Sequence, residues 1–219
     1  MPDVKPRTRR DRARATQTQI CRAAYDLFCQ RGYAATTMAD VARRAGVAVQ
    51  TVYFTFHTKP DLLAGAYELA VMGEDDPLAP QAQPWYEAAA AAPTIREAIS
   101  HVVSGTGAIE RRVAPLGIVI RAAAQGDEES RVVWLRHEQL RVEGFRGLVA
   151  MLTAKAPLRA GLDDGSAVQL LLMLLGPWVY LALVIDGGWS HEAWAAWAER
   201  AVGEQLFGLA PDAESRPAA

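Results

Sequence analysis

Residues 36–59, TTMADVARRAGVAVQTVYFTFHTK, restrict the possible fold more than any other stretch of the chain. Thr37 followed three residues later by Asp40 is a capping-box start, with a hydroxyl and a carboxylate placed to satisfy the orphan amides of a first turn. Met38, Val41, Ala42 and Ala45 then recur at helical spacing, so one side of this short helix is apolar. Gly46 supplies the backbone freedom of a tight turn, and Val47 is an apolar plug behind it. A second helical pattern runs from about Val49 to Phe56. There Val52 and Phe56 face inward, while Gln50, Thr51, Tyr53, Phe54 and Thr55 are left largely outside. Two short helices across such a turn predict a helix-turn-helix, the arrangement that lets a second helix enter a DNA major groove. A helical hairpin that serves only packing has the same spacing.

Two short helices cannot bury a core alone. The pattern over 11–31 supplies a partner, a long amphipathic helix whose stripe is Ile20, Ala23, Ala24, Leu27 and Phe28, closed by Gly32. Thr58, Pro60 and Asp61 open a fourth helix with a second capping box. Charge is divided unevenly: residues 1–64 hold 11 Lys and Arg against 5 Asp, leaving 12 basic and 20 acidic residues for the rest of a chain whose net charge is −2. A basic head on an acidic body suits nucleic acid at one end only. Lys5, Arg7, Arg9 and Arg10 form a basic arm, either a phosphate or minor-groove contact or a solvated tail.

The segment from about Thr18 to Leu63 resembles the DNA-binding region of the TetR family of transcriptional regulators. The resemblance is carried by Ile20, Ala23-Ala24, Leu27-Phe28, Gly32-Tyr33, Thr36-Thr37, Asp40-Val41-Ala42, Ala45-Gly46-Val47, Thr51-Val52-Tyr53, Phe56, Lys59 and Leu62-Leu63. Ala48 departs from the family, which commonly has Ser or Thr there, so the second short helix loses a side-chain cap worth about 1 kcal/mol. The resemblance implies an all-α protein: a three-helix helix-turn-helix domain at 1–58, a larger helical regulatory and dimerisation domain at 59–209, and a tail at 210–219. It also implies a ligand-responsive repressor that binds a near-palindromic operator as a homodimer, paired through its last two long helices. Base reading is expected from Gln50, with Val49, Thr51, Phe54 and Thr55 beside it. Thr37, Arg43, Arg44, Tyr53, His57 and Lys59 are expected on phosphates. For Tyr53 core packing is the alternative, and for Arg43 and Arg44 a solvated face.

Beyond residue 73 no alternating strand pattern of useful length occurs. The expected elements are a proline-rich loop over 73–93 with a short helix at 85–92, then helices to about Arg112, over 114–124, to about Lys155, over 167–186 and over 190–209. Thr94 and Glu97 cap the first of these. The uncharged run 170–185 falls short of the roughly 20 residues that span a bilayer, and Gly176-Pro177 interrupts it, so a buried helix kinked at Pro177 is expected rather than a membrane anchor. The family resemblance implies a pocket for a small apolar or aromatic effector. Trp85, Tyr86, His101, Thr106, Trp134, His137, Trp178 and Tyr180 are the candidates, each with core packing as its alternative. Gly105 and Gly107 admit either a ligand or a neighbouring helix. His137-Glu138 and His191-Glu192 begin like a zinc-protease motif, but Arg141 and Ala195 stand where its second His belongs, and no phosphate-cradling loop is present. No catalytic residue, cofactor or metal is therefore expected. A body that binds a protein partner, or no inducer, is the alternative to an effector-binding one. Cys21 and Cys29 lie eight apart without a metal or redox spacing and read as small hydrophobes. A charged N-terminus without an apolar leader fits a cytoplasmic protein.

Overall fold

The computed structural model describes residues 9–73 and 78–210. Lys5 and Arg7 of the basic arm, residues 74–77 of the proline-rich loop and 211–219 of the tail lie outside the described residues. Every regular element among those described is helical: α1 (Arg9–Arg31), α2 (Met38–Ala45), α3 (Val49–Thr55), α4 (Lys59–Met72), α5 (Pro84–Ala91), α6 (Ile95–Gly126), α7 (Glu128–Thr153), α8 (Asp164–Leu174), α9 (Pro177–Tyr180) and α10 (His191–Phe207). A 3₁₀ turn (Pro80–Ala82) precedes α5, and a π-helical segment (Leu181–Asp186) follows α9.

The chain forms two compact units, each discontinuous in sequence. The first comprises Met1–Pro77 and Pro115–Leu135, and the second Leu78–Ala114 and Arg136–Ala219. The division expected after residue 58 falls within the first unit, between α3 and α4.

In the first unit α1 carries the buried stripe Ile20, Cys21, Ala23, Ala24, Leu27 and Phe28. Both capping boxes are present: Thr37 with Asp40 opens α2, and Thr58 with Asp61 opens α4. Gly46 ends α2 in the left-handed region (φ 65°), a conformation few side chains tolerate, and the Val47 amide donates to the Ala42 carbonyl at 3.0 Å. Burial pushes the Cys21 thiol up to about 12 and the Cys29 thiol up to about 11, so both stay protonated and unreactive.

Three expectations need correction. The helices expected over 95–112 and 114–124 are one, α6, with Pro115 inside it. Proline disfavours helix at the residue before it, but Val113, Ala114, Leu116, Val119 and Ile120 are all buried, and that burial outweighs the local preference. Conversely the helix expected over 167–186 is divided rather than kinked. Gly176 is extended (φ −90°, ψ 167°), the chain restarts with Pro177 in a first turn, and it continues with π spacing. By length and composition Asp164–Asp186 does reach what a membrane crossing needs, but half of it is buried within the unit.

The core of the second unit gathers Val102, Val103, Phe145, Leu148, Leu152, Leu171, Leu175, Tyr180, Trp194, Val202 and Leu206 among others. The helical glycines of α6 receive rings: Gly105 lies against Trp85, and a Cβ at Gly107 would be 2.5 Å from Trp194 Cζ3 and 3.0 Å from His191 Cε1. Two residues on this buried stripe are polar, Thr106 and Glu110, and only Glu110 is ionisable. Glu110 follows Val103 and Gly107 at helical spacing, is only 5% exposed, and its Oε2 has no hydrogen-bond partner. Burial pushes its carboxyl up to about 8; Arg141 opposes the shift and Glu138 adds to it.

An unfolded chain gives up this proton near 4.5, the folded one near 8. Within that window the folded state binds the extra proton, so stability falls as pH rises. His137, held neutral down to about 4 mainly by burial, acts in the opposite sense, but only below its ordinary value of 6.5. The melting temperature is therefore expected to fall between about pH 6.5 and pH 8 in the wild type and to fall less in Glu110→Gln. Parallel profiles of the two by scanning calorimetry would contradict the buried, protonated carboxyl.

Candidate nucleic-acid interface

The second short helix is two turns long and has no side-chain cap at Ala48. What holds it is its inward face. Val52 is fully buried, and the Phe56 ring lies where a Cβ on Gly65 of α4 would be 2.5 Å from Phe56 Cε1 and 3.3 Å from Cys21 Sγ of α1. Only glycine lets the ring in so close. The opposite face is left to solvent: Gln50 is exposed, Tyr53 is 51% exposed and Phe54 85% exposed. Val49, Thr51 and Thr55 are half-buried, and the Thr55 hydroxyl donates back to the Thr51 carbonyl at 2.8 Å. An exposed phenyl on a short helix gains nothing in folding, and Tyr53 is not core.

The residues expected on phosphates have differing local duties. The Thr37 hydroxyl donates to Asp40 Oδ2 at 2.6 Å, and its amide donates to the same oxygen at 3.1 Å, so it is committed to the cap. Those bonds, with Arg43 adding to them, hold the Asp40 carboxyl below the usual carboxylate range. Arg43 pairs with Asp40, and Arg44 with Asp26 at 2.5 Å. Exposed pairs of this kind contribute at most about 1 kcal/mol and exchange readily for another anion. His57 is exposed. Lys59 Nζ sits over the Tyr33 ring, 4.1 Å from its centroid, and partial burial lowers the Lys59 pKa. Sequence reasoning missed what lies behind Tyr33: its phenol oxygen is 3.2 Å from Ser130 Oγ, and the Ser130 hydroxyl donates to Asp127 Oδ2 at 2.5 Å. Asp127 also accepts the Ser130 amide at 3.0 Å and so caps the start of α7. Between α1 and α2 an open cleft of about 1010 Å³ is lined by Arg14, Arg22, Arg31, Arg43 and Arg44 with Asp11, Asp26 and Asp40, continuing the basic surface.

Residues 20–66 match the family model described as bacterial regulatory proteins, tetR family. They form a TetR-family helix-turn-helix domain. Over 57 residues the chain is 40% identical to the HTH-type transcriptional regulator TtgR of Pseudomonas putida, covering 26% of this chain and 27% of that protein. The match thus spans about a quarter of that relative's length. Likeness of fold extends further. NalD, the secondary repressor of the MexAB-OprM multidrug efflux pump in Pseudomonas aeruginosa, superposes with a TM-score of 0.67 over 90% of this chain and 98% of its own at 21% identity. FadR of Bacillus subtilis, solved with stearoyl-CoA, gives 0.68 over 88% and 98% at 19%. The likeness of fold to these solved structures therefore extends beyond the head into the second unit.

The effector candidates are dispersed. His101 is exposed, and Trp178 is 37% exposed. Trp134 is half-buried and belongs to the first unit. The Thr106 hydroxyl, although buried, donates to the Val102 carbonyl of its own helix at 2.7 Å. Trp85 is half-buried, donates from Nε1 to Gln83 Oε1 at 2.9 Å and meets Tyr86 edge-on with centroids 5.5 Å apart. Tyr180 belongs to a cluster: its hydroxyl is 3.0 Å from His191 Nδ1, and its ring meets Trp194 edge-on at 5.0 Å. His191, which joins this group, and Glu110, which acts on Tyr180 through space, were not among the expected residues. The signal for Glu110 was present, a lone carboxylate in register with a buried helical stripe.

The two faces of α3 are separable by substitution. Phe54→Ala is expected to leave the unfolding free energy within about 0.5 kcal/mol, and Val52→Ala to lower it by about 2 kcal/mol. Urea unfolding of both checks the assignment; a large loss at Phe54 would mean that the exposed face is covered.

Proposed function

We propose that the chain is a TetR-family transcriptional regulator that grips DNA as a homodimer and releases it when a small molecule binds the helical body. The observation that carries this reading is α3: a helix of a TetR-family domain, pinned by Val52 and Phe56, that turns Gln50, Tyr53 and Phe54 outward. Gln50 presents the amide geometry that bonds adenine N6 and N7, and Phe54 and the Thr51 methyl suit a thymine methyl. Tyr53, His57, Lys59, Arg43 and Arg44 contact phosphates and fix register, and Thr37 serves by capping α2.

Dimerisation through α8 and α10 gains support from the large apolar side chains left exposed on and after α8: Met173, Trp178, Ile185 and Trp189. Two heads on a two-fold axis require a near-palindromic site with half-sites in successive major grooves. That TtgR and NalD are regulators supports a non-enzymatic role in the cytoplasm. NalD, as a repressor, and FadR, as a regulator that holds stearoyl-CoA, support repression and response to a small ligand. An effector acts only through its differential affinity for the DNA-competent body, typically about 1–3 kcal/mol.

Fluorescence anisotropy on the fragment recovered by genomic pull-down tests the reading. Gln50→Ala is expected to weaken that site by about 1–3 kcal/mol and random DNA little; equal loss on both would remove Gln50 from base reading. Lys59→Ala is expected to weaken both and to flatten the slope of log K against log salt by about 0.9. An unchanged slope would place Lys59 off the phosphates, and failure of the wild type to bind any native promoter fragment at low salt would defeat the reading as a whole.

A further inference from the structure

Two buried polar atoms among the described residues of the second unit have no hydrogen-bond partner: Glu110 Oε2, an acceptor, and Trp194 Nε1, a donor. Buried polar groups in folded proteins are nearly always satisfied, so an unmatched acceptor and an unmatched donor in one core call for a missing partner. The two are linked through the same surroundings. The Trp194 ring packs on Gly107, one turn before Glu110 on α6. Tyr180 touches the Trp194 ring, and Glu110 acts electrostatically on the Tyr180 hydroxyl. His191 stacks on Trp194 with centroids 5.8 Å apart and closes the cluster through its bond to Tyr180.

The basic group that acts on Glu110 does not supply the missing partner. Arg141 directs Nη2 at Glu138 at 2.6 Å and Nη1 at the Leu172 carbonyl at 3.5 Å, and it influences Glu110 only through space. What remains is a buried acid one turn along α6 from the glycine that carries the Trp194 ring, with the Tyr180 hydroxyl within its electrostatic reach; a carboxylate and aromatic rings in one site stabilise an organic cation twice, through charge and through the ring quadrupoles.

We propose that Glu110, with the Tyr180–His191–Trp194 cluster, is the effector site of the second unit, and that its ligand is a lipophilic aryl amine carrying an ether or carbonyl oxygen. The ammonium bonds Glu110, the oxygen accepts from Trp194 Nε1, and the apolar part lies along Tyr180 and Trp194. The inference rests on the regulator reading above for its consequence, release of DNA, but not for binding itself. Glu110 enters the ion pair by losing its own proton, so binding at neutral pH releases a proton to solvent; the ligand ammonium keeps its own. The titratable and charged groups that face this exchange are Arg141 and Glu138 from α7, Tyr180 from α9 and His191 from α10, with Arg111 and Glu192 acting on Tyr180.

Titration calorimetry of the full chain with 3-phenoxypropylamine, 3-phenoxypropan-1-ol and 4-phenylbutylamine tests this, in phosphate and in Tris at about pH 7. The wild type is expected to prefer the phenoxy amine over the alcohol by about tenfold or more, and Glu110→Gln to bring the two within about threefold. Proton release, read from the difference between buffers, is expected in the wild type and absent in Glu110→Gln, an effect that a merely structural glutamate would not produce. Trp194→Phe keeps the ring and removes the donor; it is expected to erase the advantage of the phenoxy amine over 4-phenylbutylamine. Equal affinity for amine and alcohol, no binding of any of the three, or a preference that survives Glu110→Gln would overturn the proposal. Promoter binding measured on the same samples without amine separates the two readings: DNA bound but amines refused sinks this inference alone.

Discussion

The seating of Phe56 against Gly65 governs the head. A helix of two turns without a side-chain cap has no stability of its own, since nucleation consumes most of what its few hydrogen bonds return. Its position comes from tertiary burial: Val52 fully covered, and the Phe56 ring laid over a glycine of α4 beside Cys21 of α1. With the apolar side fixed, Gln50, Tyr53 and Phe54 have only solvent left to face. The exposed surface of α3 thus follows from what its buried surface requires, and the long α1 is present to meet that requirement.

The second unit is built on the opposite allowance. Its α6 carries glycines at 105 and 107, which weaken a helix by roughly 1 kcal/mol each relative to alanine, yet both positions are filled by aromatic rings from other elements. Close approach of Trp85, His191 and Trp194 recovers through packing what the backbone gives up. One turn beyond Gly107, α6 buries a carboxyl whose Oε2 has no hydrogen-bond partner. A buried carboxyl of this kind costs stability that an apolar side chain of similar size would not.

Much of the head was legible in the residues because its signals are local. Two capping boxes, a left-handed glycine and apolar residues at helical spacing each act within a turn or two, and α2, α3 and α4 begin and end where those signals lie. The body was less legible because its outcomes turn on burial. The break expected between 112 and 114 does not occur, because the residues around Pro115 are covered, whereas Gly176-Pro177 argued for a kink and produced a full interruption. The side-chain partners were hidden for the same reason. Nothing local announces that Lys59 will rest on Tyr33, or that Thr106 will spend its hydroxyl on its own helix. Glu110 could have been found by asking which polar residue shares a stripe with Val103 and Gly107.

Tyr33 reaches Ser130 within a unit that joins residues far apart in the chain. A boundary drawn by counting along the gene is therefore not a boundary in space. An excised N-terminal fragment would keep α1 to α4 and yet forfeit the 115–135 segment that completes its unit, leaving the phenol beneath Lys59 without its anchor. Grafting this head onto another helical body accordingly calls for transplanting the α6–α7 corner with it, and swaps that cut after α4 would carry over α3 but not the support behind Tyr33 and Lys59.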